Sequence, residues 1–240
     1  MNILVTGVSR GVGVEICRVL LEQGHVVYGV SRSLSDEFKT LQKKWDKTLF
    51  FKSVDLSDAR NIQKEVFKEF FKNTIPLHAF INNAAMAYDD IVTNLNLNHL
   101  EQMYNTNVFA PMMLTKYAIR NMLLNKAQGA IVHISSVSAH TGYKGLAMYA
   151  SSKGALEAFS KNTAREWGEL GIRSNVVVPG FMETAMSATL SEEQKDRIYK
   201  RTSMKKATNI SSVAETVAFL VSEKATSITG QNIHVDNGTI

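Results

Sequence analysis

The sequence predicts a doubly wound α/β fold, a parallel sheet of about seven strands with helices on both faces. Two observations carry this reading. Short β-branched runs alternate with longer amphipathic segments along all 240 residues. The first run leads directly into a glycine-rich turn that opens a helix, and folds of this class bind ligands beyond such strand ends. The length suits one domain covering residues 1–240.

Residues 3–5 (Ile-Leu-Val) read as the first strand, and 12–23 as a helix that Gly24 ends. Strand two covers 25–30 and strand three 48–54. A strongly amphipathic helix over 59–72 precedes strand four at 77–81. One long helix is expected over 99–125, and Gly129 opens strand five, which runs to 135. A second long helix covers 147–170, followed by strand six at 172–178. A short helix at 213–222 and a last strand at 232–235 complete the pattern. Strands separated by helices form βαβ units, and right-handed crossovers place the helices on both faces. The segment 183–206, with Met182 beside it and Met186 and Met204 within it, reads as a mobile lid over the substrate; its methionines fit an apolar ligand or ordinary helix packing equally well.

Composition removes several classes. Hydrophobic residues make up 45% and charged residues 20%, as in globular proteins. Mean hydropathy is −0.09 and no run of 18 apolar residues occurs, so no membrane span is expected. The N-terminus lacks a basic, signal-like start, and a cytoplasmic location follows. The single cysteine, Cys17, precludes an intrachain disulfide and reads as a core residue. The six histidines lack metal-ligand spacing, so no metal is expected. The net charge of +5 is scattered, with small clusters at Lys43-Lys44 and Lys205-Lys206 and no basic stripe interleaved with aromatics. Nucleic acid is therefore not an expected partner; an anionic small ligand or an acidic carrier fits the same charge.

The turn Thr6-Gly7-Val8-Ser9-Arg10-Gly11-Val12-Gly13 lets the backbone approach a pyrophosphate, while the helix start offers unpaired N–H groups and a positive dipole end. Strand two ends in Val30-Ser31-Arg32, with no acid before Asp36. A carboxylate there would hold a ribose 2′-hydroxyl; Arg32 and Arg10 suit a 2′-phosphate instead, which points to NADP(H). Asp55-Leu56 after strand three is placed to accept from an adenine amino group, and Asn82-Asn83-Ala84-Ala85 after strand four is small enough to pack against a cofactor.

Tyr149 and Lys153 stand four residues apart at the start of the second long helix and share one face. An ammonium ~4–6 Å from the phenol favours the phenolate by about 3–4 kcal/mol at an effective dielectric of ~20, which brings the tyrosine into range for acid–base work. Ser136 ends strand five, where its hydroxyl can bond a carbonyl oxygen and the developing alkoxide. Asn107 lies mid-helix, where asparagine is a poor helix former; it reads either as a local side-chain bond or as a bend anchoring a proton-relay water.

Taken together, Thr6-Gly-x3-Gly-x-Gly13, Asn82-Asn-Ala-Ala85, Asn107, Ser136, Tyr149-x3-Lys153 and Pro179-Gly180 resemble the short-chain dehydrogenase/reductase family over essentially the whole chain, and most closely its 3-oxoacyl-carrier-protein reductases. The resemblance implies a Rossmann-type fold, NADP(H), a homotetramer paired through the two long helices, and a Ser136–Tyr149–Lys153–Asn107 tetrad. In it Tyr149 gives the proton, Ser136 orients the carbonyl, Lys153 holds the nicotinamide ribose and Asn107 positions a water. It further implies that Pro179, Gly180, Met182 and Thr184 contact the nicotinamide end. Ala85 and Asn237-Gly238 depart from the usual glycines. Carrier-protein reductases similar to this chain also carry arginines where it has Ala127 and Leu170, leaving Lys126 or Arg173 as substitutes. The rival readings are a dehydrogenase of a sugar, steroid-like or other small alcohol, and a noncatalytic NADP(H)-binding regulator, for which an intact Tyr149–Lys153 pair would be superfluous.

Overall fold

The structure is a computed structural model and describes residues 1–184 and 190–240. Met186 lies outside the described residues. Seven strands form one parallel sheet: β1 (Asn2–Thr6), β2 (Val26–Ser31), β3 (Leu49–Ser53), β4 (Ala79–Asn82), β5 (Gly129–Ile134), β6 (Ile172–Pro179) and β7 (Asn232–Val235). Their order is β3-β2-β1-β4-β5-β6-β7, the Rossmann-like arrangement expected. The order reverses between β1 and β4, and a crevice opens beyond the strand ends at that switch point.

Eight helices flank the sheet among the described residues: α1 (Val12–Glu22), α2 (Asp36–Lys44), α3 (Gln63–Phe70), α4 (Leu97–Tyr104), α5 (Ala110–Leu124), α6 (Ala147–Trp167), α7 (Glu192–Arg201) and α8 (Ile210–Val221). Alternation along the strands assigns the two faces. Ile3, Val5, Ile81 and Val132 pack with Ile16 and Leu20 of α1 and Val213 and Val217 of α8. Leu4, Phe80 and Ile131 pack with Val66 and Phe67 of α3 and Leu114 and Ala118 of α5. Each fully buried side chain of this kind contributes about 1.5–3 kcal/mol. Cys17 is buried in the first cluster. No described helix is long and apolar enough to cross a membrane.

The structure corrects the expected elements in four places. The helix expected over 99–125 is two α-segments joined by a π turn at Asn105–Phe109. Pro111 has no N–H to give the carbonyl of Asn107, so regular α winding fails there. The helix within 59–72 also has π winding, in α3. Helix α2 was not expected; Ser35 caps it by accepting from Phe38 N at 3.1 Å, and its charges follow the dipole, with Asp36 and Glu37 first and Lys43 and Lys44 last. Within the segment read as a lid, α7 is an ordered helix started by a reciprocal capping box between Ser191 and Gln194.

Candidate active site

The first wall of the crevice is built by excluding side chains. Thr6 Oγ1 accepts from the backbone N–H groups of Asn83 and Ala84, both at 3.1 Å. Asn83 Nδ2 donates back to the carbonyls of Thr6 at 3.1 Å and Gly7 at 3.0 Å. This lacing leaves no room for a methyl group: a Cβ on Gly7 would stand 2.7 Å from Ala84 Cα, and one on Gly13 only 2.0 Å from the Gly7 oxygen. Gly11, at φ +58°, is the N-cap of α1, and no side chain among the described residues caps the helix. The first-turn N–H groups, those of Val12 and Gly13 among them, are therefore offered to the crevice, with Ser9 and Arg10 beside them.

The crevice continues as a cavity of about 470 Å³. At the end of β2 it is bordered by Ser31 and Arg32, and beyond β3 by Asp55 and Leu56. Hydroxyls set this turn: Ser31 Oγ donates to the Ser33 carbonyl at 2.9 Å and Ser53 Oγ to the Arg32 carbonyl at 2.7 Å. The side chains of Arg10 and Arg32 are exposed. Asp36, the first acid after β2, pairs with Lys39 at 2.8 Å. Asp55 accepts from Ser57 N at 2.9 Å. That bond is the main reason its carboxyl is held below the usual range, with the charge of Arg32 a smaller one.

Ser136, Tyr149 and Lys153 border the opposite end of the same cavity. Lys153 is buried; its Nζ donates to the Ile134 carbonyl at 2.8 Å and stands 5.6 Å from the centre of the Tyr149 ring. Burial pushes this ammonium down to about 8. The phenol of Tyr149 is pushed up, first by burial and then by the carboxylate of Asp89. In the chain by itself it is burial, with Asp89, rather than Lys153 that sets the direction of the phenol. Ser136 Oγ accepts from Ser138 N at 3.2 Å, so its own hydrogen remains available to donate.

From the end of β6, Pro179, Gly180, Met182 and Thr184 close the cavity. A Cβ on Gly180 would lie 2.5 Å from Thr208 Oγ1 and 2.7 Å from Asp236 Cα, so the chain must pass there as glycine. Asn107 is the one expected site residue that does not line the cavity; its neighbour Thr106 does. The side chain of Asn107 is fully buried and bonded to both backbone groups of Met86 at 2.8 Å and to Ser152 Oγ at 3.0 Å. The bend read from the sequence exists as the π turn, and the local side-chain bond exists with it. Ser135, Met86 and the Ser33–Ser35 turn also border the cavity and were not singled out. The sequence held a signal for the last of these, the helix-start pattern Ser35-Asp36-Glu37.

Arg173 is not free to replace a missing carrier-binding arginine. Its guanidinium donates to the carbonyls of Leu220 at 2.7 Å and Ser222 at 3.3 Å, capping the end of α8. Lys126 is exposed.

A family model described as enoyl-(acyl carrier protein) reductase matches residues 7–239. A 3-oxoacyl-[acyl-carrier-protein] reductase of Buchnera aphidicola subsp. Schizaphis graminum is 34% identical over 235 residues, 98% of this chain and 95% of the relative. A variant of actinorhodin polyketide ketoreductase, solved with NADPH, has a TM-score of 0.89 at 28% identity, covering 99% of this chain and 96% of that one. A 4-hydroxyisoleucine dehydrogenase complexed with NADH has a TM-score of 0.92 at 24% identity, covering 99% and 98%, which is a likeness of fold. With a glycine-laced turn at one end of its cavity and Ser136, Tyr149 and Lys153 at the other, the chain belongs to the short-chain dehydrogenase/reductase family of oxidoreductases.

Proposed function

We propose that the protein is an NADP(H)-dependent reductase that interconverts a ketone and a secondary alcohol, with 3-oxoacyl thioesters, free or carrier-bound, as its substrate class. The observation that carries the reading is the meeting of Ser136, Tyr149 and Lys153 on one cavity with the uncapped start of α1. The cavity fits a dinucleotide. Gly7, Ser9, Gly11, Val12 and Gly13 would cradle the pyrophosphate, and Arg10, Ser31 and Arg32 the 2′-phosphate. Asp55 and Leu56 would take the adenine, while Asn83, Ala84, Pro179, Gly180, Met182 and Thr184 would flank the nicotinamide side. The NADPH-bound ketoreductase relative supports the choice of cofactor.

When bound, the reduced cofactor supplies a hydride. Tyr149 gives its proton to the carbonyl oxygen; burial keeps the phenol protonated, so it is a donor at neutral pH. Ser136 donates to the same oxygen as charge builds on it. Lys153 would hold the ribose hydroxyls and, where protonated, favours the phenolate left after transfer. The Asn107 carbonyl, which Pro111 cannot pair, would be the group to hold a relay water between Lys153 and solvent. Two hydroxyl donors on one wall suit a carbonyl oxygen, whose lone pairs accept them, and the similarity to 3-oxoacyl-[acyl-carrier-protein] reductases supports ketone reduction.

The test is NADPH oxidation against acetoacetyl and crotonyl thioesters and sugar and steroid ketones, beside Tyr149→Phe. Acetoacetyl thioester should be reduced, and Tyr149→Phe should bind NADPH yet turn over at least ~10²-fold more slowly. Turnover only with a sugar or steroid ketone would move the substrate class. NADPH binding without turnover of any carbonyl would make the chain a regulator.

We read residues 1–240 as one unit acting in the cytoplasm, and as a homotetramer. Leu97, Phe109 and Leu124, along the two segments joined by the π turn, are 60%, 49% and 68% exposed, apolar surface that pairing would cover. A 26.6 kDa mass by light scattering would refute the tetramer.

A further inference from the structure

One turn beyond Lys153 on α6, Glu157 gathers groups from three other parts of the fold. Ser135 Oγ, at the end of β5, donates to its Oε1 at 2.5 Å. Asn232 Nδ2, at the start of β7, donates to Oε2 at 2.7 Å. His140 Nε2, which closes the turn begun by Ser136, stands 3.0 Å from Oε1 and 2.9 Å from Oε2. The Glu157 side chain is only 11% exposed and its bond to Ser135 is half-buried, while His140 and Asn232 approach it from the solvent side. A carboxylate accepts from all three donors; an amide would turn one of its ends into a fourth donor facing the others.

We propose that Glu157 is a positioning residue for carbonyl reduction: it ties the segment carrying Ser135 and Ser136 to the helix carrying Tyr149 and Lys153, and it holds the two serines in opposite polarity. This rests on the reductase reading above. Ser135 borders the cavity with its hydrogen spent on Glu157, so it offers no second donor beside Ser136. Ser136 receives the Ser138 N–H, so its hydrogen is the one free to meet the substrate. Without the carboxylate, the Ser135 hydroxyl is released as a competing donor, and the turn from Ser136 to His140 loses its tie to α6. Active-site hydroxyls must be held within about 0.5 Å of the productive geometry.

The experiment compares wild type, Glu157→Gln, Ser135→Ala, Ser135→Thr and the Glu157→Gln/Ser135→Ala pair. It uses NADPH and acetoacetyl-N-acetylcysteamine, with NADPH affinity by fluorescence and folding by thermal melts. Glu157→Gln should lose about tenfold or more in kcat, with NADPH affinity and the carbonyl KM within about twofold of wild type. Ser135→Ala should lose kcat in the same direction, Ser135→Thr should retain it, and the pair should lose less than the two single losses multiplied. Unchanged kcat in Glu157→Gln, or a loss matched by weakened NADPH binding, would overturn the proposal. If Glu157→Gln does not fold, the serine variants decide: Ser135→Ala at wild-type kcat, or Ser135→Thr as slow as alanine, would overturn it. A wild type that reduces no carbonyl would instead refute the reductase reading.

Discussion

The two ends of the cavity are built from different materials. At the dinucleotide end, between Thr6 and Gly13, the work is done by backbone groups, hydroxyls and amides, none of which titrates. Shape there is fixed by exclusion, with a Cβ on Gly13 standing 2.0 Å from a carbonyl oxygen. At the other end, around Lys153, desolvation sets the protonation of the ionisable side chains. Lys153 falls to about 8, Tyr149 rises, and His133, buried on β5 between the rings of Phe80 and Phe159, falls to about 3. Yet a methyl group on Gly154, beside Lys153, would meet nothing within 4 Å. The turn at one end is set by exclusion of volume; protonation at the other is set by burial, although Gly180 there is enclosed as tightly as Gly7.

The sharpest way to break this contrast is Gly13→Ala. The clash is with backbone, which cannot rotate away. The variant should lose at least about 3 kcal/mol of stability, read by chemical denaturation, and should no longer bind NADPH by fluorescence titration. A variant with wild-type stability and affinity would show that the turn has room to spare.

The catalytic end should betray itself through acid sensitivity. The ring nitrogens of His133 have no hydrogen-bond partner among the described residues, and burial holds the imidazole neutral down to about pH 3. An unfolded histidine takes a proton near pH 6.5. The unfolded chain therefore binds the extra proton, and stability present above pH 6.5 drains away as pH falls toward 3. Between pH 7 and 4.5 this amounts to about 2–3 kcal/mol. Melting curves of His133→Phe should fall less steeply over that range than those of wild type; parallel curves would remove His133 from the account.

Arg32→Asp probes the exposed rim of the first end, where charge rather than shape selects the ligand. Losing a charged hydrogen bond of about 1.5–3 kcal/mol should lower kcat/KM with NADPH by roughly 10–100-fold. NADH should gain relative to it. Equal use of both cofactors by the wild type would refute the assignment of NADP(H).

Gly154→Ala is the smallest expected effect and the control for Gly13→Ala. In a helix interior with open space around it, alanine should be neutral or stabilising by up to about 1 kcal/mol. A destabilised Gly154→Ala would mean that α6 is packed as tightly as the turn.

Local chemistry was legible wherever a residue's role depends on its own stretch of chain. The glycine spacing, the bare end of β2, and the pairing of Tyr149 with Lys153 one turn on all follow from short-range geometry. All the expected cofactor-contacting residues border the cavity, most of them at or just beyond a strand end or near a helix start. Two helices were missed although their signals were present: Ser35 with two acids after it for α2, and the Ser191–Gln194 box for α7. Their helical faces are largely polar, so apolar periodicity was silent and only the caps spoke. Pro111 likewise marked the π turn that divides the long helix.

The sequence by itself determined the strand and helix alternation, the phosphate turn and the identity of the groups that meet in the cavity, because these depend on dihedral freedom and on spacings of a few residues. Only the tertiary structure decided which charges survive and which donors are spent. The phenol of Tyr149 is raised rather than lowered, Arg173 is consumed in capping α8, and Ser135 is bound to Glu157. Ionisation and hydrogen-bond capacity answer to burial and to partners tens of residues away along the chain, and those are set only when the sheet has closed its register and the helices have docked on it.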